Sequence, residues 1–145
     1  MFLGKHYSRL DKNNRLPTPA VFREELATGL YLTQGFDRNL VVLTRSAFKA
    51  IYKTATALNV ADPLARGLRR LILASAQEVH LDTKGNLAIP AELREFASLQ
   101  GGVLVVGQGD YFEIWSPEQW ENQAAQLQDA DANASRFSGL TVATR

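Results

Sequence analysis

Apolar and polar positions change rhythm several times along the chain. Residues 5–10 alternate loosely between the two, the period of a short strand. Residues 11–14 follow as a turn, with Lys12-Asn13-Asn14 supplying types that tolerate positive φ. Residues 15–18 give a second short strand. Pro19, of a type favoured at the first helical position, opens a short helix. Within it Phe22 and Leu26 stand four apart and share a core-facing side. Residues 30–34 and 39–43 read as strands around the turn Gly35-Phe36-Asp37-Arg38. Ser46 then suits the N-cap of a helix over 47–58, where Phe48, Ile51, Tyr52 and Ala55 keep helical spacing. Asp62-Pro63 starts another helix, with Leu64, Leu68, Leu71 and Ile72 on one face and Arg66, Arg69 and Arg70 over much of the rest.

The same order of elements then recurs. A strand is expected over 77–82, a turn over 83–86, a strand over 87–89 and a helix from Pro90 to about residue 97. Strands at 103–107 and 111–115 precede a helix from Ser116-Pro117 to about residue 128. Residues 129–145 are small and polar without periodicity, so a disordered tail is expected there. The recurrence is written in the residues themselves. Residues 10–24 read LDKNNRLPTPAVFRE and residues 81–95 read LDTKGNLAIPAELRE, with seven of fifteen positions identical. A repeat of this length marks one folded unit duplicated. The reading divides the chain into a first copy at 1–58, a connecting helix at 59–76, a second copy at 77–128 and the tail. The expected fold class is α+β. One copy alone buries little and leaves strand edges, whereas two copies can pair their edges and close a barrel around one core.

Charge sharpens the picture. The formal net charge is +1, but residues 1–73 carry twelve Lys/Arg against five Asp/Glu, and residues 74–145 carry four against ten. A basic half suits a polyanionic partner such as nucleic acid. It also suits plain attraction between the two halves, within or between chains. The absence of cysteine excludes a disulfide framework, a thiolate metal site and a cysteine nucleophile. No apolar run approaches the roughly 20 residues that span a bilayer, and the opening MFLGKHYSRLD turns polar too soon for a signal peptide. A cytoplasmic protein with no membrane partner is therefore expected. His6 and His80 occupy near-equivalent strand positions and read as strand residues rather than ligands. No metal, cofactor, small-molecule substrate or catalytic constellation is indicated, so the chain is not read as an enzyme.

The pattern Asp-x-x-x-Arg-Leu-x-x-Pro followed by Phe-Arg-Glu resembles the MraZ family of bacterial transcription factors. The resemblance runs from the opening Met-Phe-x-Gly through residues 62–76 to Phe112-Glu113-Ile114-Trp115-Ser116-Pro117-Glu118-x-Trp120. It implies two repeats of the AbrB/SpoVT type in a swapped-hairpin barrel and a ring-shaped homo-oligomer. It further implies nucleoid-associated binding of double-stranded DNA at short direct repeats in the promoter of a division and cell-wall gene cluster. The family's DNA-binding signature, an Asp-x-x-x-Arg motif in each half, maps onto Asp11 and Arg15 intact. In the second half it maps onto Asp82, but Asn86 stands in place of the arginine.

Arg15 is the leading candidate for DNA contact, because a guanidinium can donate two parallel hydrogen bonds to guanine O6/N7 or to a phosphate. Asp11 could orient it, or the two could simply form a structural pair that pins the turn. Lys12 and Lys84 sit at turn tips within reach of phosphates. Lys5 and Arg9 lie on the strand leading into the first turn and extend the basic surface. Asn86 neutralises no phosphate, so the two turns are expected to be unequal, the first dominating. Arg23 and Arg94 match between copies and read as structural residues or as phosphate contacts. Trp115 and Trp120, with Phe112, read as packing. The alternative to a DNA-binding regulator is an antitoxin-like or scaffold module whose partner is a protein.

Overall fold

The computed structural model describes residues 1–140. Eight short strands and six short helices alternate in it: β1 (Lys5–Arg9), β2 (Arg15–Pro17), α1 (Ala20–Arg23), β3 (Leu30–Gln34), β4 (Leu40–Thr44), α2 (Arg45–Thr56), α3 (Pro63–Arg69), β5 (Gln77–Val79), β6 (Asn86–Ala88), α4 (Ala91–Phe96), β7 (Gly102–Gly107), β8 (Tyr111–Trp115), α5 (Pro117–Leu127) and α6 (Ala130–Arg136). The α+β class expected from the sequence is the class observed.

The strands do not pair within their own copy alone. One antiparallel sheet runs β1-β7-β8-β4-β3-β5, and a separate ribbon pairs β2 with β6. Exchange each first-copy strand for its second-copy counterpart and the sheet order simply reverses, while the ribbon maps onto itself. The molecule therefore has a pseudo-twofold axis, and each copy's leading strand is delivered to the other copy's hairpin: β1 to β7 and β5 to β3. The hairpins themselves join through β4 and β8. Neither copy has a complete sheet without the other.

Hydrogen bonding does not close into a barrel. The large sheet ends at β1 and β5, and the ribbon crosses between them as its own ladder. The reason is local. β2 and β6 are three residues each, their ladder bonds go to one another, and Pro17 has no N–H to offer a further strand. The ribbon's link to β1 is the Ser8 hydroxyl, which donates to the Pro17 carbonyl at 3.3 Å.

One apolar core lies beneath both sheets. Leu16 and Leu87, opposite each other at the centre of the ribbon, are fully buried. They join Leu30, Leu32, Leu40, Val42, Val103, Val105 and Ile114. Phe2 enters the same core, its ring 5.0 Å from Phe22 and 5.2 Å from Phe112. It is held there by paired backbone bonds to Gly109 of 2.7 and 2.8 Å. The approach is so close that a side chain at Gly107 would meet the Phe2 carbonyl oxygen at 2.5 Å. Trp115 and Trp120 pack edge to face at 5.4 Å over Leu104 and Val106, the packing role expected of them.

Three local expectations change. Thr44, not Ser46, caps α2, its hydroxyl accepting the Ala47 N–H at 3.1 Å, because the helix starts at Arg45 directly after β4 with no intervening loop. The apolar stripe that starts on α3 is covered unevenly: Leu64 is 83% exposed and Leu68 36%, Leu71 and Ile72 are half-buried, and Ala65 beside them is buried. The helix then widens into a π-helical turn over Arg70–Ala74. Its freed polar groups are taken by the Thr33 hydroxyl, which donates to Ile72 O at 2.7 Å, and the Ser75 hydroxyl, which donates to Leu71 O at 2.7 Å. Finally, the segment expected to be a disordered tail holds α6. Asp129 caps it by accepting the N–H groups of Asp131 and Ala132, both at 3.1 Å, and Asn133 and Arg136 bond back to Leu127 O and Gln126 O. No residue of α6 is buried, so it carries no apolar period to read. Residues 141–145 lie outside the described residues.

Truncating the central pair tests the shared core. Leu87→Ala should destabilise the protein by about 2–5 kcal/mol, the range for a fully buried leucine. Urea unfolding at matched protomer concentration measures it.

Candidate nucleic-acid interface

The ribbon displays one face and buries the other. Alternation along each strand sends Leu16 and Leu87 inward. The outward positions are then Arg15 and Pro17 on β2, with Asn86 and Ala88 on β6. Arg15 lies opposite Ala88, and Pro17 opposite Asn86. Arg15 and Asn86 are thus diagonal neighbours on one accessible surface, each at the exit of its copy's turn.

The two turns are built alike to within about a tenth of an ångström in most bonds. Asp11 Oδ1 accepts the N–H groups of Asn13 at 2.8 Å and Arg15 at 3.0 Å. Asp82 Oδ1 accepts those of Lys84 and Asn86, both at 2.9 Å. The backbone closes each turn the same way, Asn14 N–H to Asp11 O at 2.9 Å and Gly85 N–H to Asp82 O at 2.9 Å. Both tips adopt positive φ, +58° at Asn14 and +79° at Gly85. An aspartate is needed at the start of each turn because a short carboxylate can take two successive amide protons.

The side chains break the likeness. The Arg15 guanidinium does not bond Asp11. Its Nη1 donates to Asp82 Oδ2 of the other copy at 2.8 Å, the pair being partly exposed. Neither alternative for Asp11, orienting Arg15 or pairing with it, holds at the side chains: Asp11 shapes its own turn through the backbone, and the arginine's partner is Asp82. The pseudo-twofold axis that carries Arg15 to position 86 carries Asp82 to Asp11, so the mirrored pair would be residue 86 with Asp11. Asn86 does not make it, and among the described residues its side-chain amide holds no hydrogen bond. Asp82 consequently bears more than Asp11 does. The Asn86 N–H does most to hold its carboxyl below the ordinary 3.8; burial opposes it, and the Arg15 side chain and the Lys84 N–H add to the lowering.

Arg23 and Arg94 take structural places. Arg23 Nε donates to Thr18 O at 3.0 Å, and Arg94 donates to Ile89 O, each five residues back in its own copy. Arg23 also lies against the opposite copy's turn. A side chain at Gly85 would meet its guanidinium at 2.5 Å and displace it, so glycine there leaves room for Arg23 as well as easing the positive φ. Thr18 N–H adds a bond to Gly85 O at 3.2 Å. Sequence reading missed this cross-copy support. Its one available signal was that Arg23 and Arg94 recur at the repeat offset.

The remaining candidates are spread out. Lys12 and Lys84 are exposed at the turn tips. Arg9 is on β1, its guanidinium beside Gly101 at the base of the first turn. Lys5 is drawn elsewhere, its ammonium 5.9 Å from the Trp120 ring centre. His6 bonds Leu3 O at 3.0 Å and stands edge-on to Phe22 at 4.9 Å, and His80 packs beside Gly29. Arg66 donates to Val60 O and Ala61 O at the start of α3. No helix among the described residues is long and apolar enough to cross a membrane.

The Asp82 linkage has a definite sign. A carboxyl whose folded-state pKa is depressed stabilises the fold above the ordinary carboxylate range, and that contribution is lost as pH falls through it to the folded-state value. Native protein should therefore lose stability on acidification more steeply than Asp82→Asn, the two curves converging below about pH 4. Thermal melts across pH 3–7 make the comparison.

Known proteins resemble the chain along its length. A family model described as "MraZ protein, putative antitoxin-like" matches residues 1–71 and again residues 72–138. A protein of Herpetosiphon aurantiacus named transcriptional regulator MraZ is 40% identical over 143 residues, which is 98% of this chain and 100% of that protein. Proteins of the same name from Roseiflexus castenholzii and Rhodococcus jostii are 37% and 36% identical, covering 95% and 97% of this chain and 94% of each relative. With both halves matched and relatives aligned nearly end to end, the chain belongs to the MraZ family.

Proposed function

We propose that this chain is a sequence-specific DNA-binding transcriptional regulator that grips short direct repeats in a promoter as a ring-shaped oligomer, in the cytoplasm and at the nucleoid. The regulated genes are those of a division and cell-wall cluster. The observation that carries the reading is the exposed ribbon with Arg15 held outward by Asp82 between two lysine-bearing turns. A two-stranded ribbon fits the major groove as a helix does. Arg15 reads a base edge or clamps a phosphate, Lys12 and Lys84 neutralise backbone, Arg9 extends the basic surface beside the first turn, and Asp11 and Asp82 set the turns. Lys5, held near Trp120, contributes to the general field. One ribbon binds weakly, and several displayed by one ring grip adjacent boxes through effective concentration. The relatives' shared name, transcriptional regulator, agrees with this reading. The sheet edges at β1 and β5, unpaired among the described residues, and the exposed Tyr7 and Leu64 favour assembly.

Light scattering should give a solution mass several times the 16.0 kDa of one chain; a stable monomer at micromolar concentration removes the ring and its avidity.

Arg15→Ala should leave circular dichroism and assembly intact and weaken binding to the chain's own upstream region. The expected cost is about 1–3 kcal/mol for each bidentate arginine–guanine pair that the substitution removes. Native binding should fall steeply with salt, by about 0.9 in log K per log[salt] for each phosphate neutralised. A flat salt dependence and a neutral Arg15→Ala would favour a protein partner, the antitoxin-like alternative.

A further inference from the structure

We infer that each subunit reads a directional box, with guanine under Arg15 and adenine under Asn86, so that Asn86 is a specificity-determining residue in its own right. The inference rests on the DNA-binding reading above. It starts from a mismatch: the two turns share one backbone geometry, yet carry different side chains at their exits. Duplex DNA has local twofold symmetry in its backbone, so a pseudo-twofold ribbon offers positions 15 and 86 equivalently to the two halves of a site. Whatever distinguishes the halves must then come from these side chains and their neighbours.

The chemistry of each position is distinct. Arg15 is a donor only. With Nη1 engaged by Asp82, its other N–H groups remain for the paired acceptors O6 and N7 of guanine. Asn86 has a donor and an acceptor on one amide, the complement of adenine N7 and N6. Its amide is partly exposed and has no protein partner among the described residues, so base contact breaks no existing bond. Asp11 strengthens the choice. It occupies, at the second position, the place Asp82 has beside Arg15, but among the described residues no cation pairs with it. An open carboxylate there is repelled by the O6 acceptor of guanine and tolerates the N6 amino group of adenine. The first half therefore prefers guanine and the second excludes it.

Selection from randomised duplexes at fixed salt tests this. Native protein should enrich an asymmetric box, guanine in one half and adenine in the other. Asn86→Arg should enrich guanine in both halves, giving a twofold-symmetric box, because the substitution supplies a second arginine beside Asp11. A second measurement uses native protein alone. Replacing the selected adenine by 7-deazaadenine, which lacks only the N7 acceptor, should weaken binding at least about 5-fold, the low end for one bidentate base contact. A symmetric native box overturns the inference, as does adenine retained by Asn86→Arg or a neutral 7-deazaadenine. If native protein enriches no sequence at all, the DNA-binding reading itself fails, and the directional box fails with it.

Discussion

The structure depends on pairing between the copies. β1 pairs along its length with β7, β5 with β3, and β2 with β6. A single copy would expose the edges of its hairpin and half of the Leu16–Leu87 contact. A sheet edge left open in this way invites pairing with other chains. Duplication within one chain supplies the missing edge at high effective concentration. The two copies are consequently bound to one geometry at the ribbon, whatever their sequences do elsewhere. Seven identities in fifteen across the turn and helix, against sparse likeness outside them, follow that constraint.

The same constraint builds the site. Because β2 and β6 run antiparallel about Leu16 and Leu87, the exit of each turn lies beside the start of the other. An arginine leaving the first turn meets the aspartate opening the second. Arg23 crosses in the same sense, from the first copy to Gly85 of the second. Neither turn is a free loop. Each is fixed by its own aspartate through the backbone, and the ribbon ladder ties it to the other copy. A reader residue presented there has little orientation left to lose on binding.

Much of this is legible in the residues alone. The repeat announces two equivalent units, and the alternation of strands with capped helices places nearly every element within a residue or two. The Asp-x-x-x-Arg spacing marks the turn. What the sequence conceals is which copy supplies which partner. Asp11 and Asp82 are identical in type and spacing, and only the antiparallel register of the ribbon shows that Arg15 reaches across. The leucines at the start of α3 keep a helical period although Leu64 and Leu68 stay exposed, and cover on that stripe begins at Leu71 and Ile72. In α6 the error runs the other way. Capping and side-chain bonds to the backbone hold that helix, and neither leaves an apolar rhythm.

The Arg15–Asp82 pair is partly exposed, and such solvated pairs contribute little to stability. Fold stability is therefore a poor account of its geometry, since Leu16 and Leu87 beneath it secure the ribbon far more strongly. Orientation is the better account. A guanidinium free in solution loses rotamer entropy when it docks, and one already tethered through Nη1 loses less. Asp82 can perform this service because its own first oxygen is fixed by two backbone N–H groups, leaving the second aimed and ionised. Asp11 is fixed in the same way, but among the described residues no arginine pairs with it. Its second oxygen remains an acceptor at the surface. The chain thus carries two identical carboxylate platforms on one symmetric backbone. Among the described residues, one is completed by a cation and the other is open.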